Sequence, residues 1–379
     1  MKAAVAASIE DFSPEEWDGC FPGELESHGY YLAAEQAGLA NFTLCYPHVR
    51  DADGRLVAAV PAFFTSYRLD TTVTGPVKKV TDAIVRLFPG LFSLPMACLG
   101  SPVGEVCRLG FAQDLPCGQR PAMLKRMMDA FAADAARRKV RFLSVKDAPN
   151  RQLWEWSECL EHGWQRIPSL PTALLPLPYA SIDDYLATFS RSTRKDMKRK
   201  LKSRQNVRVE WRTNIDDVMT EVMEIYHHTL AKSEMQFEEL TPAYFQCVLA
   251  NLGDHAACVL YWAEDQLAGF NLVLIGQDRL IDKFIGLRDG LARQYDLYFL
   301  SWFENIEFCL RRKIGLYHSG QAEYGVKKRL GCELEPNWLL YRHANPLANR
   351  LLWLVGQCVR VDRHDKDAAV TDLTGKLTA

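Results

Sequence analysis

The order of short elements in the first half of the chain recurs in the second, and that repetition limits the fold more than any single motif. In the first half Phe42 to Val49 alternates as a strand, Arg50-Asp51-Ala52-Asp53-Gly54 supplies turn residues, and Leu56 to Phe64 returns as a second strand. A helix follows. Pro121 stands in its first turn, Met123, Leu124, Met127, Met128, Phe131 and Ala135 recur at helical spacing, and Val140 to Val145 then reads as a strand. The second half repeats the order with Ala257 to Ala263, the turn Glu264-Asp265-Gln266, Leu267 to Ile275 and Leu280 to Leu287. A helix follows there too, with Tyr298, Phe299, Trp302, Phe303, Ile306 and Leu310 on one apolar face, then a strand from Ile314 to His318. The turn-rich segment Gly320 to Gly331 and a strand around Trp338-Leu339-Leu340-Tyr341 close the unit. The fold class expected is α/β, a mixed sheet built from two related units.

The seam between the units falls in the proline-rich stretch Pro168 to Pro178, in which Thr172 to Leu175 reads as an edge strand. This places one domain at 1–178, a second at 179–346 and a partly disordered extension at 347–379, polar and charged from Asp362 to Ala379. Just past the seam Ser181-Ile182-Asp183-Asp184 has capping-box form and opens a helix with Ile182, Tyr185, Phe189, Met197 and Leu201 on one stripe. Two apolar stretches, Ile84 to Leu99 and Leu347 to Val361, are interrupted by proline or by Asn349 and Arg350 and fall short of the roughly 20 residues of a membrane span. At most they touch a membrane surface, burial in the core is the use expected of them, and no transmembrane segment is expected. At the start, Glu10 and Asp11 arrive before any apolar run long enough for a secretory leader. The 11 cysteines include no C-x-x-C pair and sit mostly in apolar contexts, which points to reduced thiols and a cytoplasmic protein.

Lys+Arg 45 against Asp+Glu 47 leaves a formal charge of −2, so attraction to an anion must come from a local patch. One is present: the segment Arg191 to Arg204 carries eight cations around the single acid Asp196. It reads as an anion site, for cofactor phosphates, an RNA backbone or an acidic lipid head, or else as a solvated helix face. A second segment, Tyr317 to Gly331, gathers titratable groups and glycines just beyond a predicted strand end, where sites concentrate. Acyl transfer to an amine needs a proton acceptor, a donor to the carbonyl oxygen and a group that neutralises the leaving group. His318, Glu323, Tyr324 and Lys327 suit those roles, while His318 and Tyr324 also suit structural ones. The adjacent pair His227-His228 points to different helix faces and reads as structural, so no metal site is expected. Asp282-Lys283 puts two charges in an apolar strand, readable as a partly buried pair near the cleft, although strand alternation sends them to opposite sides. With no G-x-S-x-G, H-E-x-x-H, P-loop or dinucleotide fingerprint, serine hydrolase, zinc peptidase, P-loop and Rossmann chemistries lack support.

In these segments the chain resembles the Fem-type transferases and their relatives in the GNAT superfamily. The resemblance is carried by Phe189-Ser190-Arg191-Ser192-Thr193-Arg194-Lys195 opening the second domain, and by Val326-Lys327-Lys328-Arg329-Leu330-Gly331 with valine where an aromatic is usual. Tyr30-Tyr31-Leu32-Ala33-Ala34 and Asp51 to Pro61 extend it, so that it covers about residues 20 to 345. It implies tandem GNAT-like domains that transfer an acyl group to a small-molecule amine in the cleft of the second. The donor is a thioester, acetyl-CoA or another acyl-CoA, or alternatively aminoacyl-tRNA held by the Arg191 to Arg204 helix; a third reading is a binding protein without catalysis. Lys327 would stabilise charge, Glu323 or His318 would accept the amine proton, and Tyr324 would donate to the leaving group. Arg191, Arg194, Arg288, Arg293 and Tyr295 are the candidate phosphate ligands. The stretch Arg288 to Leu297 departs from the pyrophosphate loop of ordinary GNAT enzymes in having one glycine.

Overall fold

The computed structural model describes residues 1–68, 93–233 and 237–356. Its strands are β1 Lys2–Ala6, β2 Phe42–Arg50, β3 Leu56–Ala59, β4 Ala62–Arg68, β5 Ser93–Leu99, β6 Gly110–Phe111, β7 Phe142–Pro149 and β8 Gln165–Pro176, then β9 Arg208–Arg212, β10 Ala256–Ala263, β11 Gln266–Ile275, β12 Arg279–Leu287, β13 Leu316–His318 and β14 Glu333–His343. All belong to one mixed sheet, in the order β6-β3-β2-β4-β5-β7-β14-β8-β13-β12-β11-β10-β9, with β1 beside β2. Within each half one parallel contact, β5 with β7 and β12 with β13, interrupts otherwise antiparallel pairing. That shared pattern is the duplication expected from the sequence.

Local chemistry explains the elements. Glu264 and Asp265 both adopt positive φ, 52° and 57°, the two-residue turn whose twist suits the hairpin from β10 to β11. β10 is buried on both faces, so Ala256, Cys258 and Leu260 join the core beneath the helices Met219–Leu230 and Pro242–Leu252, while Ala257, Val259 and Tyr261 pack with the helix Leu297–Arg312. In the first half the expected helix, Arg120–Arg137, buries Met123, Leu124, Met127, Met128, Phe131 and Ala135. One core also crosses between the halves: Tyr30, in helix His28–Gln36, meets Tyr244 of helix Pro242–Leu252, their hydroxyls 2.8 Å apart.

Several expectations are corrected. The strand read as Leu56 to Phe64 is two strands, because Val60-Pro61 interrupts the ladder between β3 and β4. The helix after Ser181 is likewise two, Ile182–Ala187 and Arg191–Leu201, the second capped afresh by the Ser190 hydroxyl. Thr172 to Leu175 belongs not to an edge strand but to the central strand β8, flanked by β13 and β14. β8 tolerates its prolines through a register shift against β14 between Glu335 and Asn337, where the Leu170 carbonyl accepts from the Asn337 and Gln321 amides and the Pro171 carbonyl from the Tyr324 hydroxyl. The apolar stretch beginning at Leu347 is not core: in helix Pro346–Gly356, Leu347, Leu351, Trp353 and Leu354 are exposed. Ile84 to Phe92 and the tail from Asp362 lie outside the described residues. Among those described the cysteines are free thiols, and no helix is long and apolar enough to cross a membrane.

Candidate active site

The sheet opens between β12 and β13. The two run parallel through Ile281 and His318, after which β12 continues to Leu287 while the other chain turns away: the Ser319 amide donates to Ala173 and the Gly320 carbonyl accepts from the Ala173 amide. A cavity of about 160 Å³ occupies the opening. Asp282, Lys283 and Ile285 line it from β12, Tyr298, Ser301 and Trp302 from helix Leu297–Arg312, Tyr317 to Glu323 (His318 apart) from the β13 end, Lys327 from helix Tyr324–Arg329, and Glu105 from the first half.

Lys327 is buried, and its Nζ donates to the Ser319 carbonyl. Burial lowers its pKa below the ordinary lysine value, with Glu105 and Asp282 opposing. Asp282 is shifted up by burial, although the Tyr317 hydroxyl at 2.7 Å and the Asn271 amide at 2.5 Å both donate to its carboxylate. Asn305 braces both donors, its amide reaching Asn271 Oδ1 at 2.9 Å and the Tyr317 oxygen at 3.2 Å. Lys283 faces the same opening, contrary to the alternation expected of a regular strand. The register shifts between Leu272 and Val273, so Lys283 is the extra residue of a bulge. Its ammonium reaches Glu26 at 2.8 Å and the Val103 carbonyl at 2.7 Å.

Of the residues chosen from sequence, the structure brings Lys327 and Glu323 to the cavity, Lys327 in its wall and Glu323 at the exposed rim. His318 lies behind it, with Nε2 2.5 Å from Glu105 Oε2. Tyr324 is buried with its hydroxyl donated to Pro171, away from the cavity lining. None of the five candidate phosphate ligands lines the cavity. The Arg194 guanidinium caps the preceding helix by donating to Ala187 and Phe189 carbonyls, Arg288 donates to Leu267, Tyr295 donates to Glu264, and Arg191 and Arg293 are exposed. Along the basic segment, Lys198 pairs with Asp183, Arg199 and Lys200 with Asp196 and Asp296, and Arg204 with Glu304 and Glu307. Exposed Arg191, Lys195 and Lys202 have no ion-pair partner among the described residues.

Sequence reasoning missed Glu105 and Tyr298. The Tyr298 hydroxyl is at the cavity without a hydrogen-bond partner among the described residues, and burial raises its pKa. Its helical spacing marked it only as core. Glu105 follows the turn Gly100-Ser101-Pro102-Val103-Gly104 at the end of β5, a strand-end signal that was legible, but nothing local ties that loop to the second half. The fit is close, since a methyl group on Gly320, whose φ is 79°, would lie 2.6 Å from Glu105 Oε1. Burial alone would raise the Glu105 pKa, yet His318, Lys283 and Lys327 hold it at about 2 instead of the ordinary 4.5. A carboxylate depressed in the fold contributes stability that is complete above its unfolded value and lost as pH falls. The loss attributable to Glu105 therefore lies between about pH 4.5 and about 2. In Glu105→Gln this part of the acid-unfolding profile is expected to flatten, as read by unfolding midpoints across that window; an unchanged profile would refute the assignment.

Among the described residues no cluster of histidine, cysteine and carboxylate side chains is arranged to hold a metal ion. A buried lysine, a carboxyl group raised by burial and an unpartnered phenol around a small cavity are suited to proton transfer and to stabilising an oxyanion.

A family model for FemAB-like proteins, described as peptidoglycan biosynthesis/recognition, matches residues 8–376. No curated protein matches the sequence. Among solved structures FemX is similar over 93% of this chain and 100% of its own, with a TM-score of 0.58 at 11% identity. A tandem GNAT protein from the clavulanic acid biosynthesis pathway is similar over 91% of this chain and 99% of its own, with a TM-score of 0.53 at 14% identity. The C-terminal domain of a putative lysylphosphatidylglycerol synthetase from Agrobacterium fabrum is similar over 91% and 96%, with a TM-score of 0.52 at 13% identity. At these identities the likeness is one of fold, and it is the tandem GNAT-like fold that the resemblance implied.

Proposed function

Since the chain belongs to the FemAB-like family, we propose that it forms an amide bond by moving an aminoacyl group from aminoacyl-tRNA to an amine of a peptidoglycan precursor. The observation that carries this reading is the convergence of Lys327, Asp282 and Tyr298 on the cavity where β12 and β13 part. The amine nitrogen attacks the ester carbonyl carbon, the C–N bond forms, the C–O bond to the ribose breaks, and no covalent intermediate with the protein is needed. Asp282, raised by burial, accepts the proton released by the amine. The Lys327 ammonium faces the oxygen on which negative charge gathers, and the Tyr298 hydroxyl donates to the departing ribose oxygen, the role that sequence had given to Tyr324. Glu323 at the rim steers the incoming amine, and His318 positions Glu105.

A tRNA donor is preferred to acyl-CoA because of the helix Asp289–Gln294. Its first residue is an acid whose carboxylate already holds Lys232 and lies 3.3 Å from His228, where a pyrophosphate would need free amides. Exposed Arg191, Lys195 and Lys202 are the cations left to meet an RNA backbone, and such a donor places the reaction in the cytoplasm. The test supplies purified protein with a mixture of radiolabelled aminoacyl-tRNAs or with labelled acetyl-CoA, together with precursor peptides bearing a free amine. Label is expected to pass to peptide from tRNA alone and to stop after ribonuclease treatment. Transfer from acetyl-CoA that survives ribonuclease would overturn the donor assignment.

A further inference from the structure

The helix Pro346–Gly356 leaves the sheet at the end of β14 and packs through one side. Tyr341 donates to the Leu352 carbonyl at 3.1 Å, and Asn349 accepts from the His343 amide at 2.9 Å and donates to the Gly163 carbonyl at 2.9 Å. Its other side has no cover among the described residues. Leu347 is 80% exposed, Leu351 62%, Leu354 54% and Trp353 43%. Leu347, Leu351 and Leu354 follow at i, i+4 and i+7, so they form one stripe. Arg350 is exposed beside it, and the helix contains no acid.

Cations border that stripe. The Ala344 amide, just ahead of the helix, donates to the Arg141 carbonyl at 2.8 Å. This brings Arg141 and Lys139, both exposed, to the same end of the molecule as Arg350. Arg137 and Arg138 are there too, paired with Asp134 at 2.7 and 2.9 Å. Two further acids, Glu158 and exposed Glu161, lie in the short helix just before the turn whose Gly163 carbonyl takes the Asn349 amide, and neither pairs with these cations among the described residues. An apolar stripe with a tryptophan, bordered by mostly unneutralised cations, is complementary to an apolar layer beneath anionic head groups.

We propose that this end of the molecule docks on the surface of an anionic lipid bilayer, the leucines entering the boundary between head groups and acyl chains while Arg350, Arg141 and Lys139 face phosphates. The helix lies on the surface and does not span it. The inference stands on exposure and charge at a face none of whose residues lines the cavity, and it does not rest on the proposed reaction.

Flotation of the full-length protein with vesicles of phosphatidylcholine alone, or of equal parts phosphatidylcholine and phosphatidylglycerol, tests it. The protein is expected to float with the anionic vesicles. Partitioning is expected to fall by about tenfold or more in the double variant Leu351→Glu/Leu354→Glu, and also in Lys139→Glu/Arg141→Glu, with high salt weakening the wild type. These side chains are exposed, so unfolding midpoints should not move. Wild-type protein that fails to float with anionic vesicles would overturn the proposal, as would leucine variants that float like the wild type. Dimers in solution that the leucine substitutions split, without vesicle binding, would instead assign the face to a second copy of the chain.

Discussion

Replacing Lys327 by methionine is expected to lower transfer by roughly 10²- to 10³-fold, the usual effect of removing one donor to a developing oxyanion, while the protein stays folded. Methionine fills the volume of the lysine stem without burying a charge. The wild-type pH profile carries a second sign of the same role. A lysine that must be protonated to act loses its effect as pH rises through its pKa, and burial places that pKa below the ordinary 10.5. The alkaline limb of the rate profile should therefore fall below that value in the wild type and disappear from the residual activity of Lys327→Met. Unchanged turnover in a variant of unchanged stability would remove Lys327 from the site.

The largest stability effect is expected at the ion pair between the halves. Lys283 and Glu26 meet at 2.8 Å with side chains 1% and 4% exposed, so a lone survivor has little access to water. Glu26→Ala leaves the Lys283 ammonium with the Val103 carbonyl, the face of Tyr30 and the through-space attraction of Glu105. Breaking a buried pair on one side costs about 3–5 kcal/mol, far more than the pair itself is worth against an apolar replacement. The double variant Glu26→Leu/Lys283→Met should therefore recover most of what Glu26→Ala loses. Denaturant unfolding of both variants reads the difference; a midpoint unmoved in Glu26→Ala would show the pair to be solvated. Burial acts to lower the Lys283 pKa, but Glu26 and its neighbours raise it overall, so the pair's contribution is complete below the ordinary 10.5 and lost as pH climbs beyond the raised value.

The candidate site was legible in the sequence where its residues sit close together in the chain. Lys327 and Glu323 stand in one glycine-rich stretch after a strand end, and both reach the cavity. Tyr324, in the same stretch, goes elsewhere, because a one-residue step around a short helix turns a side chain toward the interior and the Pro171 carbonyl. Asp282 and Lys283 were visible as charges in an apolar strand, but their common direction was not. A bulge changes the facing of the residues around it and is set by the partner strand, not by local periodicity. The prolines of β8 pointed to an edge, and the carbonyls they release are instead taken by Asn337, Gln321 and Tyr324, all far along the chain. The helix at Leu347 failed differently: hydrophobicity implied burial, and that inference holds only in one direction.

By itself the sequence determined the repeat of hairpin, helix and strand and the glycine-bounded segment that carries Lys327. These depend on periodicity, turn residues and caps, all written within a few residues of where they act. Only the tertiary structure decided that both halves share one sheet through β7, β14 and β8, and that Glu105 of the first half reaches the opening between β12 and β13 of the second. Those features depend on which distant segments pair and on charges that are tolerable in the interior only when a partner arrives from elsewhere in the chain.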